Sequence, residues 1–97
     1  MRILNYGSLN IDYVYQVDHI VLPGETIHGR SFETFPGGKG ANQSAAIAKA
    51  GGRVWHAGKV GSDAGWLLET LNGFGVNTDL VRRSQGPSGH ALIQVSA

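Results

Sequence analysis

The stretch Pro36-Gly37-Gly38-Lys39-Gly40-Ala41-Asn42-Gln43 decides how the rest of the chain is read. Three glycines fall within four positions, Lys39 stands among them, and small helix formers follow at Ala41, Ala45, Ala46, Ile47 and Ala48. Glycine adopts backbone conformations closed to other residues and lets a ligand come close to the main chain. A glycine loop feeding a helix predicts first-turn N–H groups that face open space, where oxygens or negative charge can bind. Asn42 falls in that first turn, and its amide both donates and accepts, which suits sugar hydroxyls. The plainer alternative is a tight turn with Lys39 as a solvated charge. The loop is not a phosphate-binding Walker loop, since no Gly-Lys-Ser or Gly-Lys-Thr occurs. Nor does it have the Gly-x-Gly-x-x-Gly spacing of a dinucleotide fingerprint.

Before this stretch, residues 2–7 read as a short buried strand broken by Gly7-Ser8. Asn10 and Asp12 come next, two apart, so an extended backbone puts both on one face. Polar side chains just past the end of a first strand stand where open α/β sheets hold ligands. The alternative is an Asx turn, each side chain bonding its own backbone. Residues 13–21 are β-branched and aromatic with alternating faces, Leu22-Pro23-Gly24-Glu25 is a turn, and strand chemistry resumes from Thr26 to Phe35. These two strands form an excursion from the main sheet, a small β-flap.

After the stretch, the predicted helix runs to about Ala50, with Ala41, Ala45 and Ala48 on one small face. Gly51 is its stop, and Lys49 sits favourably in its last turn. Residues 53–60 make the next strand. Ser62 or Asp63 caps a second helix, whose stripe of Ala64, Leu67, Leu68, Leu71 and Phe74 is core packing. Residues 77–82 form a short strand, Arg82-Arg83 a solvated pair and 85–89 a loop. A last strand starts at His90 and stops almost at once, which suggests a truncated chain. The four histidines lie at no metal-ligand spacing and read as structural or surface groups, so no metal site is expected.

Composition narrows the function classes. The 97 residues suffice for one small domain or part of a larger one. Fifteen glycines without periodicity mean turns and caps of a compact α/β chain, not collagen. A net charge of +1 gives no electrostatic case for nucleic acid or a membrane surface. The absence of cysteine removes disulfides and thiolate metal sites, and fits the cytoplasm as the expected location. No signal peptide is visible, and the apolar runs are too short to span a bilayer.

In order along the chain stand Gly7-Ser8-Leu9-Asn10-Ile11-Asp12, Pro23-Gly24-Glu25-Thr26, Gly37 to Gln43, Gly58-Lys59-Val60-Gly61-Ser62-Asp63, Gly75-Val76-Asn77-Thr78 and Ser88-Gly89-His90-Ala91. This ordered set resembles the N-terminal part of the ribokinase-like (PfkB-type) carbohydrate kinases, over essentially the whole chain. The resemblance implies a Rossmann-like αβα fold carrying a small β-sheet lid, with lid strands at 13–18, 27–35 and 90–96. Residues 1–97 would then be the sugar-binding part of that domain, with the ATP-binding part absent. It further implies that Asn10 and Asp12 bind sugar hydroxyls and that Gly38, Lys39, Gly40 and Asn42 close on the sugar. Lids in the family often pair, so a homodimer is expected. The whole enzyme would use ATP and Mg2+ to phosphorylate a primary hydroxyl of ribose or a similar sugar. The family's Gly-Ala-Gly-Asp catalytic motif, its Asn-x-x-Glu magnesium region and its nucleotide pocket lie outside these residues, so no catalytic residue is assigned. The piece alone is expected to be inactive. Asp63-Ala64-Gly65 also departs from the family's Asp-x-x-Gly, which leaves that helix entry open. The alternative of a different class is a stand-alone, non-catalytic module that binds sugars or anions.

Overall fold

A computed structural model describes residues 1–97. The element order is β1 (Arg2–Tyr6), β2 (Asn10–Val17), β3 (Ser31–Gly37), α1 (Lys39–Lys49), β4 (Arg53–Val60), α2 (Gly65–Phe74), β5 (Asn77–Arg83) and β6 (His90–Ser96). Two three-stranded sheets result. The first is parallel, in the order β1-β4-β5, and the second has the order β3-β2-β6. In the second sheet β2 runs antiparallel to β3 and parallel to β6.

The first sheet follows from two β-α-β passages, since parallel neighbours need a crossover and a helix supplies it. Both helices lie against the sheet over one core: Leu9, Ile11, Ala41, Val54, Val60, Ala64, Leu67, Leu71 and Val76. The small face of α1 does the work expected of it, with Ala41 fully buried and Ala45 and Ala48 packed at the core's margin. Gly51 (φ +91°) and Gly75 (φ +100°) end the helices in the left-handed region that favours glycine.

On the other face of this sheet Leu4, Tyr6 and Leu80 are exposed, in register with Trp55 and Ala57. A parallel sheet is normally covered on both faces. The second sheet projects from the first, which gives the molecule its extents of 51 × 31 × 18 Å.

Several expected boundaries move. The strand placed at 13–21 begins at Asn10 and ends at Val17, and the one placed at 26–35 is confined to Ser31–Gly37. The expected lid strands 13–18 and 27–35 shift accordingly, while the third, 90–96, stands as read. Residues 18–30 form a long connection, tied by Glu25, which accepts from His19 Nε2 at 2.8 Å and from the Leu22 N–H at 3.0 Å. Neither Ser62 nor Asp63 caps α2: Ala64 occupies that position, with no side-chain cap. Asp63 is instead claimed across the fold, where its Oδ1 accepts from the Ser88 N–H at 2.9 Å and the Ser88 hydroxyl at 2.7 Å. Arg83 donates to the Ser62 carbonyl at 3.3 Å, so it is not purely a solvated charge. Phe74 is 38% exposed, with the Lys49 ammonium 4.2 Å from its ring centroid, and it closes the helix edge instead of filling the core.

Candidate functional site

Asn10 and Asp12 open β2, half-buried and on one face of the strand. They lie within regular strand, which disposes of the Asx-turn alternative. Such a turn does form at Asn77, whose Oδ1 accepts from the Asp79 N–H at 2.9 Å. The neighbours of the pair are bare. Gly37 pairs with Asn10 in the ladder, and Gly89 precedes His90, which pairs with Ile11. A Cβ at Gly37 would occupy the space of the Asp12 carboxylate, and one at Gly89 would stand 2.7 Å from Asn10 Oδ1. Glycine on both sides therefore leaves the amide and the carboxylate uncovered. Phe35 pairs with Asp12 and so shares its face, 45% exposed, a residue the sequence reading did not single out. The aromatic cluster of Tyr13, Tyr15 and Phe32 lies on the opposite face.

The glycine-rich loop reaches this ledge from β3. Gly38 is the N-cap of α1 with φ +94°, and a Cβ there would come within 2.7 Å of the Ser8 carbonyl oxygen. Gly40 sits one residue into the helix, against the backbone of Gly7 and Ser8. The first turn is less open than expected. The Ala41 N–H donates to the Ser8 carbonyl at 3.0 Å and the Gly40 N–H to the Ser8 hydroxyl at 3.4 Å. Two donors that the sequence reading left for a ligand are thus spent on holding the loop to the β1–β2 turn. Lys39 and Asn42 are exposed on the same turn.

Beneath the loop lies a buried polar chain. Asn5 Nδ2 donates to the Gly40 carbonyl and to Ser44 Oγ, both at 2.9 Å. Ser44 Oγ is 2.7 Å from His56 Nδ1, and His56 Nε2 is 3.0 Å from the Gly7 carbonyl. Ser44 and His56 are fully buried. His56 is structural, as expected, but none of the three was placed near the site. The signal was there: each is a polar residue at a position where its strand or helix pattern calls for an apolar one.

The site is a ledge and not an enclosed cavity. The most voluminous recess, about 430 Å³, lies elsewhere, among Tyr15, Val17, Val21 and Leu92 of the second sheet and its long connection. Its position away from Asn10 and Asp12 argues against reading it as the sugar site. No cluster of three or more His, Cys, Asp or Glu side chains occurs. The polar groups present are the amides of Asn10 and Asn42, the Lys39 ammonium and the Asp12 carboxylate. They match sugar hydroxyls better than a magnesium–triphosphate pair.

The sequence model for the pfkB family carbohydrate kinases matches residues 2–97. The chain belongs to this family. Among curated pfkB-family relatives, ribokinase of Bacillus subtilis (strain 168) is 47% identical over 75 residues, covering 75% of this chain and 26% of the relative. Among solved structures, ribokinase from Cryptococcus neoformans var. grubii serotype A in complex with ADP superposes with a TM-score of 0.87 at 44% identity, covering 99% of this chain and 31% of that one. Arabidopsis thaliana ribokinase complexed with ribose and ATP gives a TM-score of 0.82 at 36% identity, covering 98% and 32%. This pfkB chain thus spans about a quarter to a third of the length of these relatives. The α/β architecture expected from the sequence is that of ribokinase structures, in part. No helix is long and apolar enough to cross a membrane.

Proposed function

We propose that these residues supply the sugar-holding part of an ATP-dependent carbohydrate kinase that phosphorylates a primary hydroxyl of ribose or a similar sugar. The observation that carries this reading is the ledge itself: Asn10 and Asp12 side by side on β2, uncovered by Gly37 and Gly89, with the glycine loop seated against them. A carboxylate accepts from two hydroxyls, and an amide donates and accepts, so the pair orients a polyol without reacting with it. Lys39 adds an exposed ammonium, and Asn42 a second amide. Membership of the pfkB family supports the sugar class, and the ribose and ATP in the Arabidopsis relative support the choice of sugar and phosphoryl donor.

Phosphoryl transfer needs nucleotide, metal and base positioned together. The residues described here do not assemble that set, and Asp12 is read as a sugar ligand, not as the base. The bare face of the first sheet agrees, since a partner must cover Leu4, Tyr6 and Leu80 before the fold is complete. Lid-to-lid pairing of two copies belongs to the same reading. Both β3 and β6 are edge strands, and Phe32 and Leu92 are exposed on the second sheet. Sedimentation that shows only monomer across the working concentration range removes that element.

The test is calorimetric titration with D-ribose, with thermal melts in its presence and absence. Saturable binding with a raised melting point supports the ledge. A cooperatively folded chain that takes up no ribose, or any other pentose offered, refutes it. ATP-dependent phosphorylation of ribose by the 97 residues alone would overturn the assignment of chemistry to other residues.

A further inference from the structure

We infer that Asn5, Ser44 and His56 are positioning residues for the sugar ledge, acting through the backbone of the glycine-rich loop. This rests on the sugar reading above but concerns residues that touch no sugar. The directions of the hydrogen bonds follow from the partners. The Gly7 carbonyl can only accept, so His56 Nε2 carries a hydrogen, and in the neutral imidazole Nδ1 then accepts. Ser44 must then donate its hydroxyl hydrogen to Nδ1, which leaves its lone pairs for Asn5. Asn5 spends both amide hydrogens, one on Ser44 and one on the Gly40 carbonyl. Donation runs outward from Asn5 in two branches, and no buried side-chain polar atom is left without a partner. Both its ends are main-chain carbonyls of the site: Gly40 in the first turn of α1 and Gly7 in the turn that leads to Asn10.

Those two residues face each other at bare-backbone distance. A Cβ at Gly7 would come 2.9 Å from Gly40 Cα. Contact that close has no side chains to guide it, so the relative position of the loop and the β1–β2 turn is set by hydrogen bonds. Ser8 supplies bonds from above, to Gly40 and Ala41. The Asn5–Ser44–His56 chain supplies them from below, from three different elements: β1, α1 and β4. Removing one member frees its buried neighbours, and the cost of unpaired buried groups favours a shift of the loop. Gly38, Lys39 and Asn42 ride on that loop, so sugar affinity follows it.

The experiment compares Ser44→Ala and Asn5→Leu with Val76→Ala, a core truncation outside the chain of bonds, all in the 97-residue protein. D-Ribose affinity is measured by calorimetry, and hydrogen exchange at the Ala41 and Gly40 amides by NMR. Both network variants are expected to bind ribose about tenfold more weakly or worse, and to exchange at Ala41 about tenfold faster. Val76→Ala should lower the melting point yet bind and exchange at Ala41 like the parent. Affinity and exchange in the network variants equal to those of Val76→Ala would overturn the inference. Asn5→Leu, at a half-buried site, provides the answer if Ser44→Ala does not fold. If the parent protein folds cooperatively but takes up no ribose, the sugar reading has failed by itself. The exchange rates then decide: faster exchange only in the network variants upholds the positioning role, and unchanged exchange removes it.

Discussion

Replacing Gly40 by alanine sets two effects of opposite sign against each other. Alanine is the better helix former, and in an open helix the exchange stabilises by about 1 kcal/mol. At Gly40 the new Cβ would meet Gly7 C at 2.5 Å, Ser8 N at 2.6 Å and Gly7 Cα at 2.7 Å, all backbone atoms. Relief to an ordinary contact of 3.4 Å needs a retreat of about 0.9 Å. The same retreat would stretch the Ala41-to-Ser8 bond from 3.0 Å and the Asn5-to-Gly40 bond from 2.9 Å to well beyond hydrogen-bonding distance. Two lost bonds with their groups left unpaired cost about 2 to 5 kcal/mol. The losses exceed the propensity gain, and the net destabilisation is about 1 to 4 kcal/mol. For a domain of this size that lowers the melting point by roughly 5 to 30 °C. Gly73 provides the control, since it lies in α2 with nothing within 4 Å of its added Cβ. Gly73→Ala should raise the melting point by a few degrees. Thermal melts followed by the helical circular-dichroism signal, backed by urea midpoints, read both variants. If Gly40→Ala melts at or above the parent, the bare-backbone contact is not a constraint and the argument fails.

Three further outcomes are expected. Asp12→Ala should abolish detectable ribose binding while moving the melting point by less than about 1 kcal/mol's worth, because the carboxylate serves the ligand and not the core; an unaltered calorimetric titration refutes the assignment. Lys39→Ala should weaken ribose binding if the ammonium touches the sugar, and unchanged affinity removes the direct role. The Ser88 hydroxyl and N–H hold the Asp63 carboxyl below the usual carboxylate range, against a smaller opposing effect of desolvation. A carboxyl depressed in the folded state adds stability that is whole above its ordinary value of about 3.9 and is lost as pH falls through the folded value. Urea midpoints should therefore drop below about pH 4 less steeply in Asp63→Asn than in the parent, and identical slopes would count against the Ser88 clasp.

What was legible in the sequence was local. The glycine loop, the small face of α1 and the Asn10–Asp12 pair are each written within a few residues, and each stands where it was read. Gly7-Ser8 marked the end of β1 but hid the start of β2, because only three residues, Gly7 to Leu9, separate the strands. Ser62 and Asp63 looked like caps because a cap is a local pattern. Asp63 was claimed by Ser88, 25 residues away, and no local rule anticipates that. The Asn5–Ser44–His56 chain was hidden for the same reason, its members being 12 and 39 positions apart. The parallel pairing of β6 with β2 joins segments about 80 residues apart: the family resemblance put 90–96 in one sheet with 13–18, but neither segment's own pattern gives the pairing or its direction.

The second sheet hangs from the first by three links: Gly7–Leu9, Gly38 alone, and Ser84–Gly89. Each contains glycine, and all three strands they carry leave from the same side of the ledge. The arrangement is a lever with its fulcrum at Asn10 and Asp12. β2 has eight residues, so its far end stands about 26 Å from the fulcrum. A turn of ten degrees at the links would carry that end through roughly 4 to 5 Å while Asn10 and Asp12, at the pivot, hardly move. A probe pair with one label near Val17 and the other on α2 would therefore register a rotation to which the ligand contacts themselves are almost blind.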